Sequence, residues 1–339
     1  MLSDDGWVQN TLRAVEFAVK NGFEILTSIG LRNHELVLWA AAEFSGRVRV
    51  VVPQSISCQD VAIDFEMPPE LIRCIPVSGK GRSWWRLRDR FIAESADVII
   101  PVSIRPGGNL ESLLDGMPSD KIVRRFRTPY QSDCSGRLPS PPVKDEIKLP
   151  EFPWNHLTHW THTTFEPGMG ETKRQFYRKI VSAKGYYPYS AFENLKNILK
   201  TRKIFATPTV RNGVRVVSFT ALNPVDSQRN MRWAAFRGRY YWEPYGIAIA
   251  FDVAVEMGIR PVIYGDEATF LKLKENERPY FQPVGRRGQW RAEMEYRHVG
   301  DFDLRHVPRD ALIAVVRTEE EAIETEALFD IRAISLQKA

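Results

Sequence analysis

Three of the six histidines in the chain stand at every third position of the stretch NHLTHWTHTT, at His156, His159 and His162. On a helix this spacing turns each side chain by about 300° from the one before, and on a strand successive residues point to opposite faces. Neither geometry brings three imidazoles to one metal ion, and the HExxH spacing of zinc proteases is absent. The sequence therefore predicts no metal site here.

As a strand, the same stretch places His159 and Thr161 on one face and Trp160 on the other. An imidazole and a hydroxyl on one face can hold the same ligand, so His159 and Thr161 are candidate catalytic residues that position substrate. A hydrogen-bonded histidine of the core is the alternative interpretation.

Alternating charges in the stretch EMEYRHV form a second candidate. A strand would put Glu293, Glu295 and Arg297 on one face. Neighbouring carboxylates raise each other's pKa unless a cation intervenes, and Arg297 can be that cation. Glu293 and Glu295 are therefore candidate catalytic acid–base residues, and Arg297 is a candidate contact for phosphate. An exposed strand laced by salt bridges is the alternative.

The stretch RNMRWAAFRGRYYWEPYG, residues 229–246, interleaves arginines with aromatic residues, and we call it the arginine–aromatic segment. Guanidinium groups contact phosphates and aromatic rings stack on bases, so this mixture is typical of proteins that bind single-stranded or flipped nucleotides. An aromatic mini-core with solvated arginines is the alternative. The candidate binding residues are Arg232, Trp233, Arg237 and Tyr245.

Two further stretches, KGRSWWRLRDR and KIVRRFR, are also basic, in a chain of net charge +5 and pI near 9.0. Clustering of basic residues favours a nucleic-acid partner, and we expect DNA rather than RNA.

The first third of the chain alternates helical and strand patterns. TLRAVEFAVKNG and RNHELVLWAAAEFSG have helical spacing and end at glycine, whereas FEILTSIG, RVRVVVP and ADVIIPVSI are short apolar strands. This alternation predicts a parallel, doubly wound α/β sheet, a Rossmann-like domain over residues 1–130.

Ligands of such sheets bind at the carboxyl ends of the strands, so the loops after two strands are candidates for a nucleotide or anion site. Neither loop carries a GxGxxG or P-loop motif, and ordinary turn chemistry before a helix is the alternative. The candidate residues are Ser28, Gly30, Arg32, Ser103, Arg105, Gly107 and Gly108.

A stretch rich in Pro, Ser and charge predicts a linker over residues 131–153. Residues 154–339 then mix helices and strands, which predicts an α+β domain that holds the active site. Its clearest elements are a helix capped by Ser190, YSAFENLKNILKTRKI, and the strands VRVVSFTAL, YGIAIAFD, RPVIYG, EMEYRHV and ALIAVVRT.

Composition predicts a cytoplasmic globular protein with no membrane partner. Hydrophobic residues make up 43% of the chain, and no apolar run approaches the ~18 residues that span a bilayer. The acidic, polar N-terminus is not a secretory signal. The three cysteines form no CxxC pair, so we expect reduced thiols and no structural zinc.

The order of the motifs YSAFENLKNIL, VVSFT, YGIAIAFD, VIYG and EYRHVGDFDL resembles bacterial abortive-infection proteins of the AbiGi type, which act in phage resistance, and a related family of unknown function. The resemblance covers roughly Trp154 to Glu321.

A weaker likeness runs to ADP-ribosyltransferases of the DNA-modifying toxin type. Those have a strand with His-x-Thr, a helix that begins near an Asn-Leu pair, and a late catalytic glutamate. The matching positions are His159 and Thr161, Asn194 and Leu195, and Glu293 or Glu295. About thirty residues separate the first two motifs here, where the toxins have only a few.

Together these features predict a DNA base-modifying enzyme of a bacterial phage-defence or DNA-modification system. Two reactions stay open: ADP-ribosyl transfer, which would require NAD, and conversion of an already modified base, such as a deazaguanine nitrile to its amide. No metal is expected, since clustered acidic residues for two metals are not evident. The alternative is a non-catalytic nucleotide-binding sensor or antitoxin that regulates other defence proteins.

Overall fold

The computed structural model describes residues 5–79, 81–130, 152–208, 213–234, 239–284 and 289–337. The chain divides into two compact units: unit 1 comprises Met1–Arg137 and Glu166–Pro188, and unit 2 comprises Leu138–Phe165 and Tyr189–Ala339. The segment Glu166–Pro188 interrupts unit 2 in sequence but belongs to unit 1, whereas the sequence-based division assigned it to the second domain. Residues 131–151 of the predicted linker lie outside the described part of the chain.

Unit 1 combines helices with a small parallel sheet. Its first two helices follow the predicted amphipathic patterns and end where glycine or a turn was expected, and the four further helices of its described residues were not predicted. The helices are α1 Gly6–Lys20, α2 Arg32–Glu43, α3 Cys58–Asp64, α4 Gly81–Ser95, α5 Asn109–Asp115 and α6 Lys173–Ser182. The strands are β1 Ile25–Ser28, β2 Val48–Pro53 and β3 Ile72–Val77.

The prediction of a doubly wound Rossmann-like α/β domain is wrong. Within the described residues, the parallel sheet of unit 1 has three strands in the order β1-β2-β3, and the chain as a whole is α+β. The predicted strand ADVIIPVSI adds no fourth strand beside β1, because its one bridge, at Ile99, pairs with Ile122. Pro101 lies inside this run and has no N–H to donate to a ladder.

Cys58, the first residue of α3, and Cys74, on β3, form a disulfide. The expectation of reduced thiols is therefore wrong for this pair. The spacing of 16 residues gave no signal of it, because β3 was not predicted from the sequence.

Unit 2 carries the remaining elements. The helices are α7 Ala191–Thr201, α8 Pro224–Ser227, α9 Phe251–Glu256, α10 Glu267–Lys272 and α11 Glu319–Phe329. The strands are β4 His156–Trp160, β5 Lys203–Ile204, β6 Thr207–Pro208, β7 Arg215–Thr220, β8 Trp233–Ala234, β9 Arg239–Tyr240, β10 Gly246–Ala250, β11 Arg260–Pro261, β12 Ile263–Gly265, β13 Phe281–Pro283, β14 Glu295–Val299, β15 Phe302–Asp303, β16 Leu312–Val316 and β17 Arg332–Ser335.

The main sheet of unit 2 runs in the order β11-β14-β7-β4-β10-β16-β17 over the described residues, with β6 paired to β7. One face, which we call the core face, is apolar and covered by α7 and α11 through Leu195, Leu199 and Ala322. The opposite face, which we call the second face, carries a smaller cluster around Trp160, and Met231 packs on it. The second face is where polar side chains gather.

Every helix in the described part of the chain is too short or too polar to traverse a lipid bilayer.

Candidate functional site

Three polar side chains on β7 and β14 lie side by side on the second face. Antiparallel pairing sets Ser218 of β7 opposite Arg297 of β14, with Glu295 two residues before it on the same face. The Ser218 hydroxyl donates to Glu295 Oε1 at 2.8 Å, and Arg297 Nε donates to the same oxygen at 2.8 Å. The strand and the cation predicted for this stretch are present.

Arg297 acts as a support for Glu295 rather than as a surface cation. It is only 5% exposed, and its remaining guanidinium nitrogens bind the Phe281 carbonyl at 3.0 Å and Gln282 Oε1 at 2.6 Å. Protein groups therefore occupy the guanidinium, so the predicted phosphate contact is not what this geometry provides.

Glu293 lies one turn outside the strand. It ends a 3-10 helix, Gln289–Glu293, and Met294 between the two glutamates has a φ of 46°, in the left-handed region. A non-glycine residue in that region is strained, and such strain is concentrated at functional sites. Because of this turn, Glu293 is bound by the Tyr241 hydroxyl, at 3.0 and 3.1 Å, instead of lying in line with Glu295.

Tyr264 is the neighbour of Glu295 on the other side. Burial, together with the negative charge of Glu295, raises the pKa of Tyr264 to about 12. Its hydroxyl therefore stays protonated at neutral pH and remains a potential donor.

His159 lies on β4, confirming the predicted strand, but its ring points to the core face. It meets the Phe219 ring edge to face at 5.8 Å, and its Nδ1 lies 2.8 Å from the Ser218 carbonyl. Since a carbonyl only accepts, Nδ1 carries the proton and Nε2 is the acceptor. Burial lowers the pKa of His159, so the ring is neutral at pH 7. Ser218 thus joins His159 through its carbonyl and Glu295 through its hydroxyl.

Thr161 is buried directly after β4. Its hydroxyl lies 2.8 Å from the Ala191 carbonyl and 3.0 Å from the Tyr245 carbonyl, so it is engaged with backbone rather than with an open site. This arrangement suits a residue that holds the start of α7 against the end of β4.

The arginine–aromatic segment is split between surface and core. Arg232 is exposed, and Trp233 on β8 is 43% exposed, with its ring edge to face with Tyr240 of β9. These two keep the accessibility that a nucleic-acid contact needs. Tyr245 is 4% exposed and donates to Glu321 Oε1 at 2.9 Å, which makes it a core residue. Arg237 lies outside the described residues.

An aromatic stack connects this segment to the carboxylates. Trp160 of β4 stacks on Trp242 at 6.4 Å, and Trp242 stacks on Tyr241 at 5.7 Å. Tyr241, which directly follows β9, in turn binds Glu293, so the aromatic stack connects the paired strands β8 and β9 to that glutamate.

Several buried polar atoms on or near the second face have no hydrogen-bond partner within the described residues. Such buried atoms are costly unless an ordered water or a bound group satisfies them. They are Trp154 Nε1, His156 Nδ1, Thr158 Oγ1, Trp160 Nε1, Ser227 Oγ and Asn230 Nδ2.

A third glutamate, Glu243, was not predicted. It is 1% exposed and accepts from the backbone N–H of Thr163 at 2.6 Å and from its hydroxyl at 3.1 Å. Burial raises the pKa of Glu243 to about 7, against the opposing effect of these bonds and of Arg239. Only its position within the aromatic run YYWEPYG could have drawn attention to it.

The helix that begins near the Asn-Leu pair packs at the end of β4. Asn194 Nδ2 donates to the His162 carbonyl at 2.8 Å, and Ser190 caps α7 by accepting from the Glu193 N–H at 3.3 Å, which confirms the predicted cap. Since Glu166–Pro188 belongs to unit 1, the long separation between His-x-Thr and Asn-Leu disappears within unit 2.

In unit 1, the first candidate loop is closed by its own side chains. The Ser28 hydroxyl, which is fully buried, donates to the Val51 carbonyl at 2.7 Å. The N–H of Gly30 donates to Glu35 Oε1 at 3.1 Å, and Lys173 pairs with the same oxygen at 2.6 Å. Arg32, the first residue of α2, is exposed.

The N–H groups of the second candidate loop are also hydrogen-bonded within the protein. The N–H of Gly107 donates to Glu111 Oε2 at 2.6 Å, and the N–H of Gly108 donates to the Arg105 carbonyl at 3.1 Å. Since Glu35, Glu111 and the Arg105 carbonyl already accept from these N–H groups, the geometry of neither loop provides the predicted anion cradle. Ser103 instead lines a cavity.

In the described ranges, no group of three His, Cys, Asp or Glu side chains is arranged to hold a metal ion. Comparison of the chain with protein-family models, curated proteins and solved structures gave no match. Function must therefore be argued from the geometry of the chain itself.

Sequence reasoning missed Ser218 and Tyr241. A signal for Ser218 existed, because Ser-x-Thr on one strand and Glu-x-Glu on another are complementary alternating patterns. Tyr241 offered no such signal, since its bond to Glu293 depends on the turn at Met294.

Proposed function

We propose that unit 2 is a nucleic-acid base-modifying enzyme whose acid–base residues are Glu295 and Glu293. The observation that carries this proposal is that Tyr241, which directly follows β9, binds Glu293, two residues before Glu295 in the chain. An exposed tryptophan and arginine can hold an unpaired base and its phosphate next to groups that move protons.

ADP-ribosyl transfer is the reaction that we favour, with NAD as substrate. His159 and Glu295 lie on opposite faces of the sheet, and Ser218 on the strand between them contacts both: its carbonyl accepts from His159 and its hydroxyl donates to Glu295. The likeness to DNA-targeting ADP-ribosyltransferases also gains support, because the Asn194 helix directly follows the His-x-Thr strand within unit 2.

The transfer replaces one bond of the ribose C1′ by another. The bond from ribose C1′ to the nicotinamide nitrogen breaks, and neutral nicotinamide leaves with the electron pair. A bond forms from C1′ to a ring or exocyclic nitrogen of the base, and Glu295 accepts the proton that this nitrogen loses. A carboxylate fixed by Arg297 also stabilises positive charge that develops at C1′.

The reaction is tested with full-length protein, single-stranded DNA and NAD labelled in its adenylate phosphate. We expect label on DNA and release of nicotinamide, with Glu295→Gln reducing the rate at least a thousandfold. Glu275→Gln, a surface glutamate outside the site, is the matched control and keeps the wild-type rate. Circular dichroism verifies that both variants fold.

Three outcomes discriminate between the hypotheses. No transfer and no NAD consumption at millimolar NAD would sink ADP-ribosylation. Activity on DNA that carries a deazaguanine nitrile, without NAD, would replace the reaction but keep the base-modifying class. Full biological activity of a Glu293→Gln, Glu295→Gln double variant would favour the non-catalytic sensor.

Binding to nucleic acid is tested separately across a salt series. We expect log Kd to rise with log salt concentration, and Arg232→Ala to reduce that slope by about 1. Trp233→Ala should weaken binding by about 1–3 kcal/mol with the slope unchanged, since stacking is not an ionic contact. A slope near zero for the wild type would remove phosphate contacts and the proposal with them.

A further inference from the structure

Unit 1 contains a cavity of about 620 Å³ between β1, the helices α1, α4 and α5, and the segment from Asp97 to Ile104. This volume falls within the range of about 300–1,000 Å³ that is usual for small-molecule sites. The cavity occupies the place where a fourth strand would lie in the doubly wound sheet that the sequence predicted. It is independent of the glutamate site and does not rest on the function proposed for unit 2.

The walls of the cavity are mostly apolar. Small and branched side chains from three helices supply them, with Trp7 as an aromatic surface. An apolar enclosure of this kind favours a flat, weakly polar body and disfavours a phosphate, whose desolvation would be costly. The principal wall residues are Ala14, Val15, Ala18, Ile92, Ala93 and Leu113.

Polar groups converge at the carboxyl end of β1, where Thr27, Asn33, His34 and Ser103 line the cavity. Burial, and the nearby Arg88 charge, lower the pKa of His34 to about 4, so the imidazole is neutral at pH 7.

Three of the five other charged residues on the lining are paired within the protein, and Arg47 and Asp97 line the cavity as well. Asp89 is bound by Arg88 at 2.7 Å, and at the opposite end Arg49 binds Glu24 at 2.8 Å. With Asp89 paired and His34 neutral, the carboxyl end of β1 offers the imidazole, hydroxyl and amide groups of His34, Thr27, Ser103 and Asn33 to a ligand.

The backbone of β1 adds a donor and an acceptor side by side. β1 is the edge strand, and its parallel pairing with β2 uses the peptide groups of Ile25 and Thr27, as in the Ile25 N–H bond to the Arg47 carbonyl at 2.9 Å. The N–H and C=O of Leu26, which lines the cavity, consequently face the open edge. A ring that presents an adjacent acceptor and donor can pair with this edge.

We propose that the cavity binds an uncharged nucleobase or nucleoside, with the hydrogen-bonding edge of its base on Leu26 and its ring between α1 and α4. A phosphorylated ligand is not favoured, because Glu35 and Glu111 already occupy the glycine N–H groups of the two adjoining loops. The chemistry that recognises the ligand is thus the base edge and the ring, not a phosphate.

The test is calorimetric titration of the full-length protein with adenosine, guanosine, cytidine, uridine and thymidine, and with each matching triphosphate. We expect one-to-one binding of at least one nucleoside, with no gain in affinity from its phosphates. The same nucleoside methylated on its hydrogen-bonding edge should bind at least tenfold more weakly. This comparison requires no variant of the protein.

A filling substitution gives an independent check. Ala93→Leu places extra carbons in the cavity and should weaken nucleoside binding at least tenfold. Ala62→Leu on α3, which does not line the cavity, is the control and should leave binding unchanged.

The proposal is overturned if none of the nucleosides binds at millimolar concentration. It is also overturned if edge methylation or a folded Ala93→Leu variant leaves affinity unchanged, or if the triphosphate binds at least tenfold more tightly than its nucleoside. Binding of benzene without binding of any nucleoside would show an apolar cavity only, and would also refute it.

Discussion

The two units differ in what surrounds their candidate sites, although both contain buried polar atoms without a hydrogen-bond partner among the described residues, including Arg88 Nη1 in unit 1. In unit 1 the loops after β1 and before α5 satisfy their own N–H groups with Glu35 and Glu111, and what they leave between them is a cavity. In unit 2 the second face of the sheet is filled by aromatic side chains, and what remains is a set of buried polar atoms without partners in the described part of the chain.

This contrast separates two kinds of site. A cavity whose surrounding loops have their N–H groups hydrogen-bonded selects a ligand by shape and by a few neutral hydrogen bonds. Carboxylates fixed in place on a polar sheet face can instead transfer protons and hold polar groups. If the contrast holds, the stability of unit 2 depends on its fixed charges and that of unit 1 on its disulfide.

The largest effect is expected from Arg297→Ala. Loss of the guanidinium leaves Glu295 without its cation and leaves the Phe281 carbonyl and Gln282 Oε1 without their donor. These acceptors are partly or fully buried. Removing one partner of a buried pair typically lowers the free energy of unfolding by about 3–5 kcal/mol. Hydrogen exchange of β14 amides during denaturant titration measures this locally.

Arg305→Ala is the control for that substitution. Arg305 also pairs with a carboxylate, Asp303, but it is exposed, and exposed pairs contribute little. Equal protection of β14 in the two variants would show that Glu295 does not depend on its cation, and the contrast between the units would lose its basis in unit 2.

Reduction of the Cys58–Cys74 disulfide ranks next. A cross-link that closes a loop of this length stabilises a domain by about 3 kcal/mol, mainly by restricting the unfolded chain. Dithiothreitol should therefore lower the protection of β1–β3 amides and leave that of β14 unchanged. A Cys58→Ser, Cys74→Ser variant should show the lower protection without reductant; persistent sensitivity of that variant to dithiothreitol would contradict the assignment.

The disulfide also shows where prediction of the fold ended. Helices α1 and α2 and strands β1 and β2 follow from periodicity and glycine stops, as do α7, β7, β10 and β16. The strand predicted at RPVIYG is instead two strands, β11 and β12, in different sheets, and EMEYRHV is a strand only from Glu295. β3 was missed because IRCIPV alternates poorly and contains a proline. A fourth parallel strand was wrongly expected at ADVIIPVSI, because an apolar run does not reveal which segment it will pair with. Ile99 of this run pairs with Ile122 instead of with β1.

We expect Glu243 to make the stability of unit 2 depend on pH. Its folded pKa of about 7 exceeds its ordinary value of 4.5, so the folded state binds the proton more tightly than the unfolded state. The free energy of unfolding should therefore fall as pH rises from about 4.5 to 7, by at most about 3 kcal/mol.

Glu243→Gln should remove this dependence, because its side chain cannot ionise. The measurement is urea denaturation of both proteins between pH 4.5 and 8, and the difference between their curves isolates Glu243 from Thr163, Arg239 and other neighbours. Parallel curves would show that Glu243 has an ordinary pKa and is not held in a desolvated position.

Prediction of the site was limited by tertiary geometry. Alternation of polar and apolar residues was enough to find Glu293, Glu295 and Arg297 as candidates and to predict the strand that carries His159. The positive φ at Met294, which turns Glu293 toward Tyr241, and the pairing of Arg297 with Phe281 and Gln282 arise from contacts between distant segments. Alternation therefore identified the candidate residues. It did not show which of them hold other side chains in place and which remain accessible to a ligand.

The smallest change in stability is expected from substitution of Ser190, the N-cap of α7. This residue lies where the chain re-enters unit 2 after the segment Glu166–Pro188. The Ser190 hydroxyl accepts from the Glu193 N–H, and Ser190→Ala should destabilise α7 by about 1 kcal/mol, as is usual for loss of such a cap. Ser190→Asp keeps an acceptor and should retain nearly all of that stability. Because the lost bond lies within unit 2, exchange protection should fall in α7 and β4 and stay constant in β1–β3. A fall in β1–β3 as large as in α7 would mean that the two units do not unfold separately, and the comparison between them would then describe one cooperative structure.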